Sequence, residues 1–197
     1  MERAAYRLLY DNIHDFKTTA AHVEAEIKRW NLKNESLAVV HDTGGRTHHD
    51  MWVSMKTVSH FNLGIALELM LKMILYLDNI PCEHIHSLVE LHDSITEKSQ
   101  AKLEIIFQES KRVFPNGFNL IAFINSATPD AERISRPEAR ELKTFRDFLV
   151  YFDEDVRLWE KRYSSELIGK GKWRHYIDDI SVFIELIKRV MVAIPRC

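Results

Sequence analysis

The chain has 197 residues, 46% hydrophobic and 28% charged, an ordinary balance for a globular protein that can bury a sizeable core. Its formal net charge of -2 excludes a global basic field, so nucleic-acid binding would need a local basic patch. Two cysteines exclude a disulfide framework, and together with an N-terminus that lacks an apolar signal core they predict a cytoplasmic protein.

The first half of the chain predicts two long helices. Apolar residues recur three and four positions apart across Tyr6–Trp30, which is a heptad stripe. After a polar loop, Thr47 and Asp50 predict the N-cap of a second helix that continues to about Tyr76. The second half of this helix is apolar nearly all round, so we expect it to be the most buried helix. Its apolar stretch Phe61–Leu77 is shorter than the roughly 20 residues of a membrane span and contains two charges, so we expect no membrane insertion.

The second half of the chain predicts four more helices, two of which begin at a serine followed by a glutamate three residues later. No segment alternates strictly as a strand would, and the apolar piece Phe118–Ala127 stays unassigned. The predicted helices are a short one capped by Ser87 and Glu90, and longer ones over about Thr96–Val113, from the Ser135–Glu138 capping box to Tyr163, and from Tyr176 to Val190.

These elements predict an all-α fold, an up-and-down helical bundle built on four long helices with additional short helices. We expect a single domain, with residues 48–197 as the core bundle and residues 1–47 as an added N-terminal helix and loop. The heptad stripes of the first helix and of the Leu142–Tyr163 helix have two interpretations, the intramolecular core or a homodimer seam. Periodicity alone leaves both open.

Two charged residues interrupt the most apolar helix. Glu68 and Lys72 are four residues apart, acid before base, which places them on one helix face in the favourable order. A charge drawn out of water is costly unless it is paired or used. The pair could line a ligand or dimer cleft, or it could be a structural ion pair that fixes the helix register. His86, just before the Ser87 cap, could contact a ligand phosphate or Glu68, or act only locally at the helix start.

Three short segments follow one another across the end of the most apolar helix: Ala66–Leu75 (ALELMLKMIL), the break at Asn79–Pro81, and His86–Leu88 (HSL) at the start of the next helix. Together they resemble the HEPN domain family of nucleotide- and RNA-associated helical bundles. A late helix ending in Arg162 and Tyr163 is compatible with the same family, and the resemblance spans about residues 50–193. It implies a bundle that usually forms a homodimer and functions in toxin–antitoxin, phage-defence or RNA-cleavage systems.

The chain departs from the ribonuclease members of that family, which carry an arginine followed a few residues later by a histidine. Arg162 has no histidine after it until His175, and Arg174 is directly adjacent to His175. The one formal match, Arg7 with His14, precedes the family block and lies off the heptad stripe, so both side chains should face solvent. We therefore expect no intact nuclease motif and a binding protein rather than an enzyme.

A basic, glycine-containing segment over Gly169–His175 has the best local chemistry for binding an anion. We read it as a loop before a helix, where backbone N–H groups and cations surround the anion and an aromatic ring stacks on a base. It could equally be a solvated basic turn. The candidate residues are Lys170, Lys172, Trp173, Arg174 and His175.

The histidines do not have the spacing of metal ligands, so we expect no metal and no cofactor. The leading hypothesis is a HEPN-like protein that binds RNA or a nucleotide in a defence or toxin–antitoxin context. A second is a non-catalytic subunit that binds a partner protein. A third is a degenerate, metal-independent ribonuclease in which His86 or His175 transfers a proton with the help of Arg162 or Arg174.

Overall fold

A computed structural model describes residues 2–29, 48–82, 84–113, 120–124, 142–156, 173–177 and 180–193. Six α-helices lie within these ranges, together with one π-helical turn over Phe152–Val156 and two short strands. The elements are α1 (Glu2–Arg29), α2 (His48–Leu77), α3 (Leu88–Ser94), α4 (Glu97–Val113), β1 (Leu120–Ile124), α5 (Phe145–Tyr151), β2 (Trp173–Ile177) and α6 (Ser181–Ala193).

The predicted all-α helical bundle is confirmed, with α1, α2, α4 and α6 as its long helices. A small antiparallel ribbon adds to it, in which Leu120 pairs with Ile177 and Ile124 with Trp173. The ribbon corrects the prediction that the last helix includes Tyr176, because that residue pairs with Ile121 in the ribbon. A short run of apolar and aromatic residues is compatible with a strand as well as with a helix. The two strands are far apart in the sequence, so their pairing is not visible in either segment alone.

The helix predicted to run from Ser135 to Tyr163 is wrong at its beginning. Residues 142–144 are not helical, and α5 begins at Phe145. Thr144 caps it and forms a reciprocal capping box with Asp147, which explains why the helix starts there. The proposed Ser135–Glu138 cap lies outside the described residues, as does the proposed Thr47 cap one residue before α2.

The core forms around α2, as predicted. Side chains on one broad face of its second half are buried, and an aromatic cluster from α4, α5 and α6 packs beside them. Within this cluster the rings of Phe148 and Phe183 stack with their centroids 4.0 Å apart, and Phe107 contacts both Phe145 and Phe148. The fully buried α2 residues include Leu63, Ala66, Leu67, Met70, Leu71, Met73 and Leu75.

Helix α1 packs along α2, and its heptad stripe is part of the intramolecular core. Ile13, Ala20 and Ile27 are buried, and Leu9 and Phe16 are partly buried against the core. The homodimer interpretation of this stripe is therefore not needed to explain it. The predicted stripe beyond Val156 lies outside the described residues.

A buried polar cluster joins α1 to α2 and was not found from the sequence. The ammonium of Lys56 lies 2.7 and 2.9 Å from the two carboxylate oxygens of Glu24, with the residues 1% and 4% exposed. One turn later, the buried His60 donates from Nδ1 to the Lys56 carbonyl at 2.8 Å and stacks on Phe152. Burial, with the charge of Lys56 adding to it, lowers the pKa of His60 to about 3.

Segment Met55–Leu77 of α2 is long and apolar enough to cross a membrane by length and composition alone. However, 61% of its apolar window is buried inside the fold. The buried central helix of a globular domain passes the same test, so this helix is weak evidence for a membrane span.

We predict that the ion pair between α1 and α2 is costly to break and cheap to replace. Glu24→Leu should lower the free energy of unfolding by about 3–5 kcal/mol, because it leaves the Lys56 charge buried beside an apolar side chain. Adding Lys56→Met should recover most of that loss, since two apolar side chains of similar volume leave no charge buried in the core. Urea unfolding followed by circular dichroism measures Glu24→Leu, Lys56→Met and the double variant. Additive losses in the double variant would contradict this account.

The His60 environment predicts acid sensitivity. Because the folded-state pKa is depressed below the ordinary value of 6.5, the unfolded chain takes up the proton first as the pH falls. Stability from neutral His60 is complete above about pH 6.5 and should decline by up to about 1.4 kcal/mol per pH unit toward pH 3. His60→Gln should flatten the dependence of unfolding free energy on pH, whereas His22→Gln, at an exposed position on α1, should leave it steep.

Candidate functional site

The end of α2 redirects the chain toward His86. Asn79 has a φ of 56°, in the left-handed region that asparagine tolerates better than most residues. The N–H of Ile80 donates to the carbonyl of Leu75 at 2.8 Å, and the N–H of Asn79 donates to Tyr76 at 3.1 Å. These two bonds form a Schellman motif, and Pro81 then prevents the helix from continuing. The turn brings the next segment back beside α2.

Three of the predicted site residues meet beside α2. Lys72 Nζ lies 2.9 Å from Glu68 Oε1, and these side chains are 16% and 12% exposed. His86 Nδ1 lies 2.9 Å from the same oxygen, while the imidazole itself is 58% exposed. The predicted ion pair, drawn partly out of water, is confirmed. The contact from His86 to Glu68, one of the three possibilities for this residue, is observed.

The geometry gives the imidazole a defined role. A carboxylate can only accept hydrogen bonds, so Nδ1 of His86 is the donor to Glu68. Nε2 is then the ring nitrogen that takes up or gives a proton. Lys72 offsets the charge of Glu68, which keeps the carboxylate in place beside the ring. Such a carboxylate-oriented histidine can contact a phosphate or transfer a proton.

Asp153, in the π-helical turn, holds the segment that follows His86. Its carboxylate accepts from the Ser87 hydroxyl at 2.8 Å and from the N–H groups of Leu88 and Val89, both at 3.0 Å. Ser87 in turn caps α3 by accepting from the Glu90 N–H, as predicted. The N–H groups of Leu88 and Val89, which have no acceptor within α3, thus donate to the carboxylate of Asp153.

Sequence reasoning missed Asp153, and no local signal points to it. It lies 66 residues after Ser87 and on a segment read only for its apolar stripe. A π-helical turn often occurs near functional sites, but its presence cannot be read from residue type. The consequence is chemical: because Asp153 occupies the start of α3, a phosphate beside His86 would have to use side chains instead.

The remaining predicted site residues are not brought to this cluster by the described part of the chain. Arg162, Tyr163, Lys170 and Lys172 lie outside the described residues. The positions of Trp173, Arg174 and His175 are corrected, because they belong to β2 and pair with Ile124, Phe123 and Ala122. A helix N-terminus does not follow them directly, since α6 begins only at Ser181. The expectation of a loop opening a helix is therefore wrong at these three residues.

The formal arginine–histidine match in α1 is solvent-facing, as expected. The side chains of Arg7 and His14 are 85% and 60% exposed, and each lies near an aspartate of its own helix. Among the described residues, no three His, Cys, Asp or Glu side chains form a group that could hold a metal ion.

No protein-family model, curated protein or solved structure matches the chain.

We predict that Asp153→Asn loosens the start of α3. An amide cannot accept all three hydrogen bonds and loses the charge that favours a helix N-terminus, so unfolding free energy should fall by about 1–3 kcal/mol. Amide hydrogen exchange of Leu88 and Val89 should accelerate. Glu90→Gln removes a charge from the same helix end without touching these bonds, and it should change both quantities much less; equal effects would contradict the assigned role.

Proposed function

We propose that this protein is a HEPN-like helical bundle that binds RNA or a nucleotide through phosphate contacts beside His86. The observation that carries the proposal is the exposed imidazole held by the partly buried Glu68–Lys72 pair. The toxin–antitoxin or phage-defence context comes only from the family resemblance of the ELMLK and HSL segments.

Charge supports an anionic ligand at this cluster. Lys72 carries a positive charge that offsets the negative charge of Glu68, and the imidazole adds a second positive charge only in its protonated form. Glu68 accepts from both side chains, so it orders the two donors on one side of α2. Phosphate oxygens are strong acceptors that suit such donors. Since Asp153 satisfies the start of α3, the side chains of this cluster would supply the contacts.

A specific observation also favours the interaction-subunit alternative. The face of α2 that carries Glu68 and Lys72 is incompletely covered, with Val58 48% exposed and Ile65 and Leu69 only partly buried. An apolar helix face next to a polar cluster is typical of a protein interface. The same face would serve the homodimer that the family resemblance implies.

The orientation of His86 by Glu68 likewise favours the third candidate, a degenerate ribonuclease. Proton transfer requires a histidine fixed in one tautomer, which the carboxylate provides. A cation to stabilise charge on the phosphate is also required, and Lys72 is the described cation in this cluster.

Binding is tested with fluorescently labelled short RNA and with nucleotides, by anisotropy at low salt. Affinity should fall as salt rises, and His86→Ala should weaken binding by about 10–100-fold, because a hydrogen bond to a charged group is lost. His84→Ala is the matched control, since it removes an exposed histidine two residues earlier and should have little effect. Equal losses in both variants would argue against His86 as the contact.

Two further results separate the alternatives. If no RNA or nucleotide binds at low salt, the proposal fails and the interaction-subunit alternative is favoured. Sedimentation of the wild type and of Val58→Asp then tests whether the α2 face forms a protein interface. RNA cleavage that His86→Ala abolishes and His84→Ala preserves, with the fold intact by circular dichroism, would establish the ribonuclease.

A further inference from the structure

A second candidate site lies on another side of α2. A cleft of about 400 Å³ opens between the end of α2, the first half of α4 and the end of α6. This volume is in the range of small-molecule sites. Its apolar lining comes from all three helices and includes Ile74, Leu77, Leu103, Ile106 and Val190.

The acidic group of the cleft is already engaged. Asp78 Oδ2 accepts from the hydroxyls of Thr96 and Ser99 at 3.1 and 3.2 Å. These residues stand at the beginning of α4, so the carboxylate also offsets the positive end of that helix. Asp78 therefore has an internal role and does not need a cationic ligand to balance it.

The basic groups of the cleft are two lysines that are not paired with a carboxylate of the described residues. Lys98 and Lys102 are exposed, line the cleft and lie one turn apart on α4. Lys102 Nζ donates to the Ala193 carbonyl at 2.6 Å, which leaves two of its three N–H groups for other acceptors. Neither lysine forms an ion pair with a carboxylate within the described residues. Two lysines thus face the cleft beside one carboxylate that is already hydrogen-bonded.

We propose that this cleft binds a small amphiphile that has an apolar body and an acidic head group. The head lies between Lys98 and Lys102, and the body covers the apolar lining of Leu77 and Leu103. An amine head group of the same shape would be repelled by the two ammonium groups. An uncharged head group would gain the apolar contacts but no ion pair.

The cleft is distinct from the Glu68–Lys72–His86 cluster. Ile74 is two residues after Lys72, which is roughly 200° around the helix, and faces α4 and α6 instead of His86. The two proposals can therefore fail separately. His86→Ala should weaken the RNA or nucleotide contact and leave binding in the cleft unchanged.

Three probes with the same tail test the head-group preference by isothermal titration calorimetry: octanoate, octanol and octylammonium, each below the concentration at which it aggregates. Octanoate should bind tightest, roughly tenfold tighter than octanol, and octylammonium should bind weakest. Lys98→Met combined with Lys102→Met should abolish the preference for octanoate over octanol. Lys188→Met on α6, which removes an exposed lysine that does not line the cleft, should preserve it.

A space-filling variant tests the location. Ala193 lines the cleft and is partly buried, so the larger side chain of Ala193→Phe should occupy part of the cleft and reduce octanoate affinity at least tenfold. Circular dichroism checks that the fold is retained. Octanoate binding no tighter than that of octanol, or unaffected by Ala193→Phe, would overturn the proposal.

Discussion

The fold depends on covering a central helix that is apolar on nearly every side. Helix α2 cannot leave several apolar faces in water, so other helices must pack around it. Helix α1 covers one face, and α3, α6 and the π-helical turn also contact α2. Helix α4 lies beside the end of α2, across the cleft. Among the described side chains of α2, those of Val58, Ile65 and Leu69 lie on a face that remains incompletely covered. The candidate sites lie where polar side chains, instead of another helix, lie against α2.

The polar residues of α2 follow the same constraint. The described charged side chains of α2 that lie wholly or partly out of water each meet a partner, supplied by another part of the chain or by the next turn of the helix. Lys56 is paired by Glu24 of α1, and Glu68 is paired by Lys72 and by His86 of the following loop. The first pair is fully buried and joins two helices. The second leaves one member, His86, at the surface, where it can meet a ligand.

The contacts that could be predicted from the sequence are those between residues close together along the chain. The Glu68–Lys72 pair and the Ser87 cap depend on residues three or four apart, and both were predictable from helix geometry. Lys56 with Glu24 and Asp153 with Ser87 join residues separated by 32 and 66 positions. Pairing at such distances is decided by packing, which residue type does not reveal. The β-ribbon escaped prediction for the same reason.

The end of α2 places the two candidate sites on different sides of this helix. The left-handed turn at Asn79 sends the chain toward His86, while Leu77 and Asp78, immediately before it, face α4. A regular helix through this point would carry the chain past both. The turn therefore orders the imidazole on one side of α2 and the polar end of the cleft on the other. Because the two sites share this turn but no side chain, a ligand in one could affect the other only by moving the end of α2, and the Schellman hydrogen bonds from Asn79 and Ile80 resist that movement.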